Sequence, residues 1–235
     1  MRVIVTDLTR FANEDIVCIA GICPKTRTCV RPLPYLKRSK CEELSILPGA
    51  ILDGEFTSQE ALPPHVEDAS YSNLRFCGPC SCAEFHRVLV EGSAPSVEKG
   101  FSVAIPPGQK YIPREIPPAT SIISIPIDPS GLQIVRDAYN LTKIKVHVRD
   151  RSGREFRYMP ITDLGFYEYA IRSAGDGTSL QKLNDFICRQ ESVVLRVGLS
   201  REYKAVDGRQ GFWLQANGIY TFPDYLEEIR CYRRD

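Results

Sequence analysis

The side chains that could do chemistry fall in separate stretches of this chain. Pro63-Pro64-His65-Val66-Glu67-Asp68 places an imidazole beside two carboxylates. That set could hold a metal or act as acid and base in a metal-dependent nuclease or hydrolase. It could equally be a polar loop that hydrogen-bonds to its own backbone. Cys77-Gly78-Pro79-Cys80 is followed by Cys82 and His86, four ligand types that zinc accepts. The spacing is cramped, and no second CxxC pair completes the usual pattern, so no metal is expected. A glycine-rich phosphate loop and a GxSxG nucleophile motif are both missing from the sequence.

Two further stretches suit binding rather than bond-making. Lys143, Lys145, His147 and Arg149 alternate with Ile144, Val146 and Val148, and Arg151, Arg154 and Arg157 extend the basic stripe around a turn. Such a stripe can contact phosphates, or it can be a solvated strand face. Near the end, Arg196 and Ser200 lie on one face of a strand whose other face is Val193, Leu195, Val197 and Leu199. In the next strand Trp213, Gln215 and Asn217 oppose Phe212, Leu214 and Ala216. An indole plane, two amides and the Arg196 guanidinium are what stacking on a base and reading its edge require. The alternative is a packed tryptophan, although buried amides at Gln215 and Asn217 would then need partners. The run Gly218–Tyr225, with Tyr220, reads either as a binding rim or as an aromatic plug. Arg230, Arg233 and Arg234 add further basic residues.

These residues need elements to carry them. Strands are expected at Arg2–Thr9, Ile16–Ile22, Thr28–Leu33 and Ala50–Phe56, with a loop over 58–72 and a segment at Ala83–Glu91 that could be helix or strand. Prolines at 106, 107, 113, 117, 118, 126 and 129 resist helix and central strand pairing, so this run is read as a connection between two halves, 1–118 and 119–235. The second half predicts strands at Ser121–Ile125, Lys143–Arg149 and Arg154–Met159. A helix pair follows, near Leu164–Arg172 and around Leu180, Leu183 and Ile187, broken at Gly175 and Gly177 and capped again by Thr178 or Ser179. Strands resume at Val193–Leu199 and Gly211–Tyr220. The order is mainly β with minor α. It fits two tandem OB-like small barrels, the second with its helix pair between strands three and four.

Composition narrows the function classes. The net charge is +1, with −1 in residues 1–118 and +2 in 119–235, so any nucleic-acid site must be a local patch. No apolar run approaches the roughly 18 residues of a membrane helix. The opening Met-Arg-Val-Ile-Val-Thr-Asp is not a signal peptide, because Asp7 interrupts a short apolar stretch. Nine cysteines without a secretion signal suit reduced thiols and a cytoplasmic protein. Neither a membrane partner nor a cofactor is expected.

Several stretches together resemble the dual OB-containing domain family of bacteria. They are Val5–Arg10, Cys18–Gly21, Val30-Arg31-Pro32, Pro64–Asp68, Leu195–Arg201 and Trp213–Tyr225, in that order along the chain. The pattern departs at Cys29, where an aromatic is expected. The resemblance implies two tandem OB folds and a nucleic-acid-binding or sensing role in prokaryotic antiviral defence. It brings no catalytic residues. The sequence therefore reads as a non-catalytic binding module for DNA or RNA. Its candidate contacts are Arg31, Lys143, Lys145, Arg149, Arg154, Arg196, Arg201, Trp213, Gln215, Asn217 and Tyr220. The alternatives are the His65–Glu67–Asp68 hydrolase and a module that recognises a protein partner.

Overall fold

A computed structural model describes residues 1–173 and 179–234. The expected break at Gly175 and Gly177 and the cap at Thr178 or Ser179 lie outside the described residues. In chain order the elements are β1 (Arg2–Arg10), β2 (Ile16–Ile22), β3 (Cys29–Leu33), β4 (Leu36–Lys37), α1 (Arg38–Glu43), β5 (Ala50–Ser58), β6 (Asp68–Pro79), α2 (Cys82–Val90), α3 (Val97–Phe101), β7 (Tyr111–Pro113) and β8 (Ile122–Ile127). They continue with β9 (Leu132–Arg136), β10 (Ile144–Arg149), β11 (Glu155–Pro160), α4 (Leu164–Ser173), α5 (Ser179–Cys188), β12 (Ser192–Leu199), β13 (Tyr203–Lys204) and β14 (Gln210–Phe222). The protein is mainly β, with the helices as shorter insertions.

The first six strands form a curled sheet in the order β1-β5-β6-β3-β2-β4, and β1 also pairs with β2. All pairs are antiparallel except β3 with β6, which run parallel. The rest of the chain builds a three-stranded sheet, β11-β10-β9, and a five-stranded one, β13-β14-β12-β8, with β7 on the edge of β14. A parallel bridge, Ile161 to Ala216, joins these two sheets. Helices α4 and α5 sit between β11 and β12 in the sequence, and α5 packs on β9.

The proline run is not a bare connection. It carries β7 and β8, and Pro126 lies within β8 opposite Val194. Proline is tolerated there because β8 is an edge strand that needs hydrogen bonds on one side only. Residues 68–72 belong to β6 rather than to a loop. Ala83–Val90 is helix. Its cap is Ser81, whose hydroxyl accepts from the Glu84 amide, and it buries Phe85, Val88 and Leu89 on one face. Tyr111–Pro113 and α3, both ahead of residue 118, pack with the second half: β7 pairs with β14, and Val97 and Phe101 join its core.

Each half has its own core. Val3, Val5, Leu8, Val17, Ile19 and Leu52 fill the first, and Ile125, Val146, Val148, Leu195, Val197 and Leu214 belong to the second. A third cluster lies between them: Ile4 and Ile22 meet Phe85, Leu89, Val194, Tyr220, Phe222 and Tyr232. Strand β1 is therefore covered on both faces and is buried from Val3 through Thr9. This explains the apolar character of its opening, Val3-Ile4-Val5, which does not alternate. Two buried ion pairs lie at this level, the first between the halves and the second within the second half. Arg196 reaches Asp7 at 2.8 Å, and Arg230 reaches Asp163 at 2.9 Å.

Candidate functional site

The end of β1, the β12–β13 connection and the first half of β14 enclose a cleft of about 580 Å³. That volume lies within the roughly 300–1,000 Å³ range of small-molecule pockets. One wall comes from the first half of the chain: Arg10, Phe11, Cys18, Arg31 and Tyr35. The other comes from the second half: Arg201, Glu202, Tyr203, Trp213, Gln215 and Asn217.

Strand alternation places the second wall. Phe212, Leu214 and Ala216 enter the core, so Trp213, Gln215 and Asn217 turn the other way. Trp213 is stacked on Tyr111 with ring centroids 5.0 Å apart, and the Arg209 guanidinium lies 5.0 Å from the indole centroid. Among the described residues its buried Nε1–H has no hydrogen-bond partner. Half-buried Gln215 lines the cleft two residues further on. Asn217 is different: it sits at a bulge between Arg196 and Val197 of the partner strand, and its Oδ1 accepts from the Thr162 hydroxyl at 2.9 Å. Gly198 leaves the room for it, since a Cβ there would fall 2.1 Å from Asn217 Nδ2.

The first wall is aromatic in front and ionic behind. Phe11 and Tyr35 pack at 4.8 Å with their rings tilted by 52°. Arg201 donates to Asp68 at 2.7 Å and to the Tyr35 hydroxyl at 3.1 Å. Arg31 donates to the same Asp68 at 2.5 Å, to Ser121 Oγ at 3.2 Å, and lies 3.0 Å from His65 Nδ1. Glu67 turns to the start of β8, accepting from the Ser121 amide at 2.8 Å, the Ser121 hydroxyl at 2.7 Å and the Thr120 hydroxyl. Burial opposes ionisation of Asp68, but hydrogen bonds from Arg201 and Arg31 outweigh it and hold the carboxyl below its ordinary value. Burial, then the charges of Arg201 and Arg31, push His65 down to about 4. The imidazole is therefore neutral near pH 7. Because its Nδ1 faces a guanidinium donor, the proton belongs on Nε2.

Within this network His65, Glu67 and Asp68 surround the Arg31 guanidinium, at 3.0, 3.9 and 2.5 Å. Among the described residues no group of three or more His, Cys, Asp or Glu side chains is disposed to hold a metal ion. The CxxC region is dispersed as well: Cys77 is exposed, Cys80 buried, and His86 packs on Phe222 at 4.4 Å. The Cys18 thiol in the cleft is raised to about 11 by burial, so it is protonated and a poor nucleophile. The cleft is equipped to hold a ligand by shape, stacking and hydrogen bonds.

The other expected contacts lie elsewhere. Arg196 is 2 % exposed and faces Asp7, Ser124 and Cys29, not the cleft. Its strand face does oppose the core, as alternation predicts, but the first half of the chain covers that face. Tyr220 is fully buried and donates to Thr6 O at 2.6 Å, so the aromatic run ending β14 packs between the halves. Arg230 is buried on Asp163 rather than displayed. In the basic stripe, Lys145 pairs with Asp137 at 3.5 Å and Arg154 with Glu98 at 2.6 Å. Arg149 lines a separate small depression with His147 and Arg157. Only Lys143 approaches the cleft. It lines a second hollow of about 320 Å³ that shares Arg10 and Phe11 with the first.

Sequence reasoning missed Arg10, Phe11 and Tyr35. The available signal was an aromatic two residues before the Asn13-Glu14-Asp15 turn and another directly after Pro34. Comparison of the chain with profiles of protein families, with curated proteins and with solved structures returned no match. Among the described residues no helix is long and apolar enough to cross a membrane.

Proposed function

We propose that this chain is a non-catalytic nucleic-acid-binding or sensing module made of two OB-like units, with the cleft between them as its ligand site. The pairing order supports the OB-like part. In the first unit the neighbours run β1–β2–β3–β6–β5–β1, with β3 and β6 parallel. In the second, β9–β10–β11 and β14–β12–β8 are joined by the parallel bridge at Ile161, with the helices before β12. Five-stranded OB barrels bind ligands at the loop after strand one and at the loop between strands four and five. The cleft takes one such loop from each unit: Phe11 follows β1 of the first, and Ser200–Ala205 connect the last two long strands of the second.

The observation that carries the reading is one wall holding a stacked indole and a half-buried amide, opposite Arg10, Phe11 and Tyr35. Those are the groups that bind unstacked bases. The resemblance to dual OB-containing domains extends the proposal to a sensing role in antiviral defence. Binding of labelled single- and double-stranded RNA and DNA, measured by anisotropy at low and high salt, tests it. Binding to at least one of the four, weakened by Trp213→Ala and Gln215→Ala, is the expected result. An absence of binding to any of them at low salt removes the reading.

A further inference from the structure

We infer that the cleft is a one-nucleotide site that holds its ligand chiefly by the base, an inference that rests on the nucleic-acid reading above. Charge is the first argument. A site that follows a polyanion needs a cation for each phosphate. Arg31 is 5 % exposed and committed to Asp68, Ser121 and His65. Arg201 shares Asp68 with it, Glu67 lies 3.9 Å from Arg31, and Glu202 on the rim is met by Arg114 at 3.5 Å. Arg10 has no carboxylate partner among the described residues and rests on the Tyr167 ring at 3.7 Å. The cleft thus offers one uncompensated cation. The adjoining hollow adds no surplus, because Glu14 and Glu168 offset Arg38 and Lys143 there. The stripe on β10 cannot extend the track, since Lys145 and Arg154 are already paired.

The polar groups of the second wall are the second argument. Among the described residues Trp213 Nε1–H is a buried donor without an acceptor. Gln215, next on the same face, offers a donor and an acceptor. The Gln215 amide beside the ring planes of Trp213, Phe11 and Tyr35 suits the edge of a nucleobase stacked there. Affinity then resides in the base, with a single phosphate near Arg10.

Trp213 is the single tryptophan of the chain, so its fluorescence reports on this cleft directly. The experiment titrates the whole protein with the four nucleoside 5′-monophosphates, with ribose 5-phosphate, and with single-stranded RNA and DNA of two, five and ten nucleotides. The expected result is that at least one monophosphate quenches Trp213. Its Kd should lie within about threefold of the oligomers per site, with a log–log salt slope of about 1 or less. Gln215→Ala should weaken monophosphate and oligomer alike by about tenfold. Oligomers of five or more binding with a salt slope of about 3, while monophosphates stay silent, would overturn the one-nucleotide inference and leave the module's proposed role standing. Ribose 5-phosphate binding as well as the nucleotides would overturn the role of the base. Silence from every probe would remove both readings.

Discussion

Two arginine–aspartate pairs join the halves of this protein, and they differ in what surrounds them. Arg196 and Asp7 have side chains 2 % and 1 % exposed, while Arg201, a few residues further along, is 44 % exposed on an Asp68 that is 6 % exposed. The first pair is sealed between β1 and β12, with Ser124 and Cys29 also against the guanidinium. The second stands at the mouth of the cleft. A sealed ion pair has no water to fall back on, so removing one partner strands the other. A half-exposed guanidinium loses less, because solvent replaces its partner. The same chemistry is therefore sealed between the halves in one place and opens onto the cleft in the other, and burial sets the difference.

The sharpest way to break this contrast is Asp7→Ala. It should cost about 3–5 kcal/mol, seen as a lowered urea midpoint, by leaving Arg196 buried and unpaired. Below that in size comes Trp213→Ala. Cleft affinity should fall by about 1–3 kcal/mol in a titration followed by calorimetry, with the urea midpoint changed far less than by Asp7→Ala. Next is the pH dependence set by His65. Its folded pKa of about 4 lies below the ordinary 6.5, so the unfolded chain takes up the proton first. Stability should be full above pH 6.5 and decline towards pH 4, with a slope for this group of at most about 1.4 kcal/mol per pH unit. His65→Gln should remove that decline in pH-dependent denaturant melts. The smallest effect expected is Arg201→Ala, at about 1 kcal/mol or less, since Asp68 keeps its bond to Arg31. A loss as large as that of Asp7→Ala would erase the distinction between the two pairs.

Much of the fold is legible from local pattern. The bounds of β2 follow from its apolar run, and β10 alternates in burial residue by residue as its sequence does. The split of β14 into Phe212/Leu214/Ala216 and Trp213/Gln215/Asn217 also follows from period two. Other features depend on distant parts of the chain. Asp68–Ser70 look like a polar loop until β3 runs parallel beside them. The prolines around β8 look like a linker until the strand is placed at an edge. Arg196 shows the general reason. Alternation tells which side of a strand a residue takes, but not what lies on that side. Where both faces are covered, a charged side chain on the outer face is an interior residue, and only the fold can say so.

The segment 225–234 has a consequence for how the molecule is made. It returns to the first unit: the Cys231 amide bonds Pro48 O at 2.8 Å, and Arg233 bridges Ser81 beside the Cys82 amide. Gly49 is required there, because any Cβ would collide with the Tyr232 backbone. Arg196 and Asp7 are likewise 189 residues apart in sequence. During synthesis from the amino end, the first strands must therefore wait for almost the whole chain before their outer apolar face is covered. Ile4, Ile22 and Phe85 stay open on the growing chain, where chaperones and neighbouring chains can reach them. Late closure of this kind belongs to a topology dominated by long-range contacts, in which loop-closure entropy is lost before the contacts that repay it can form.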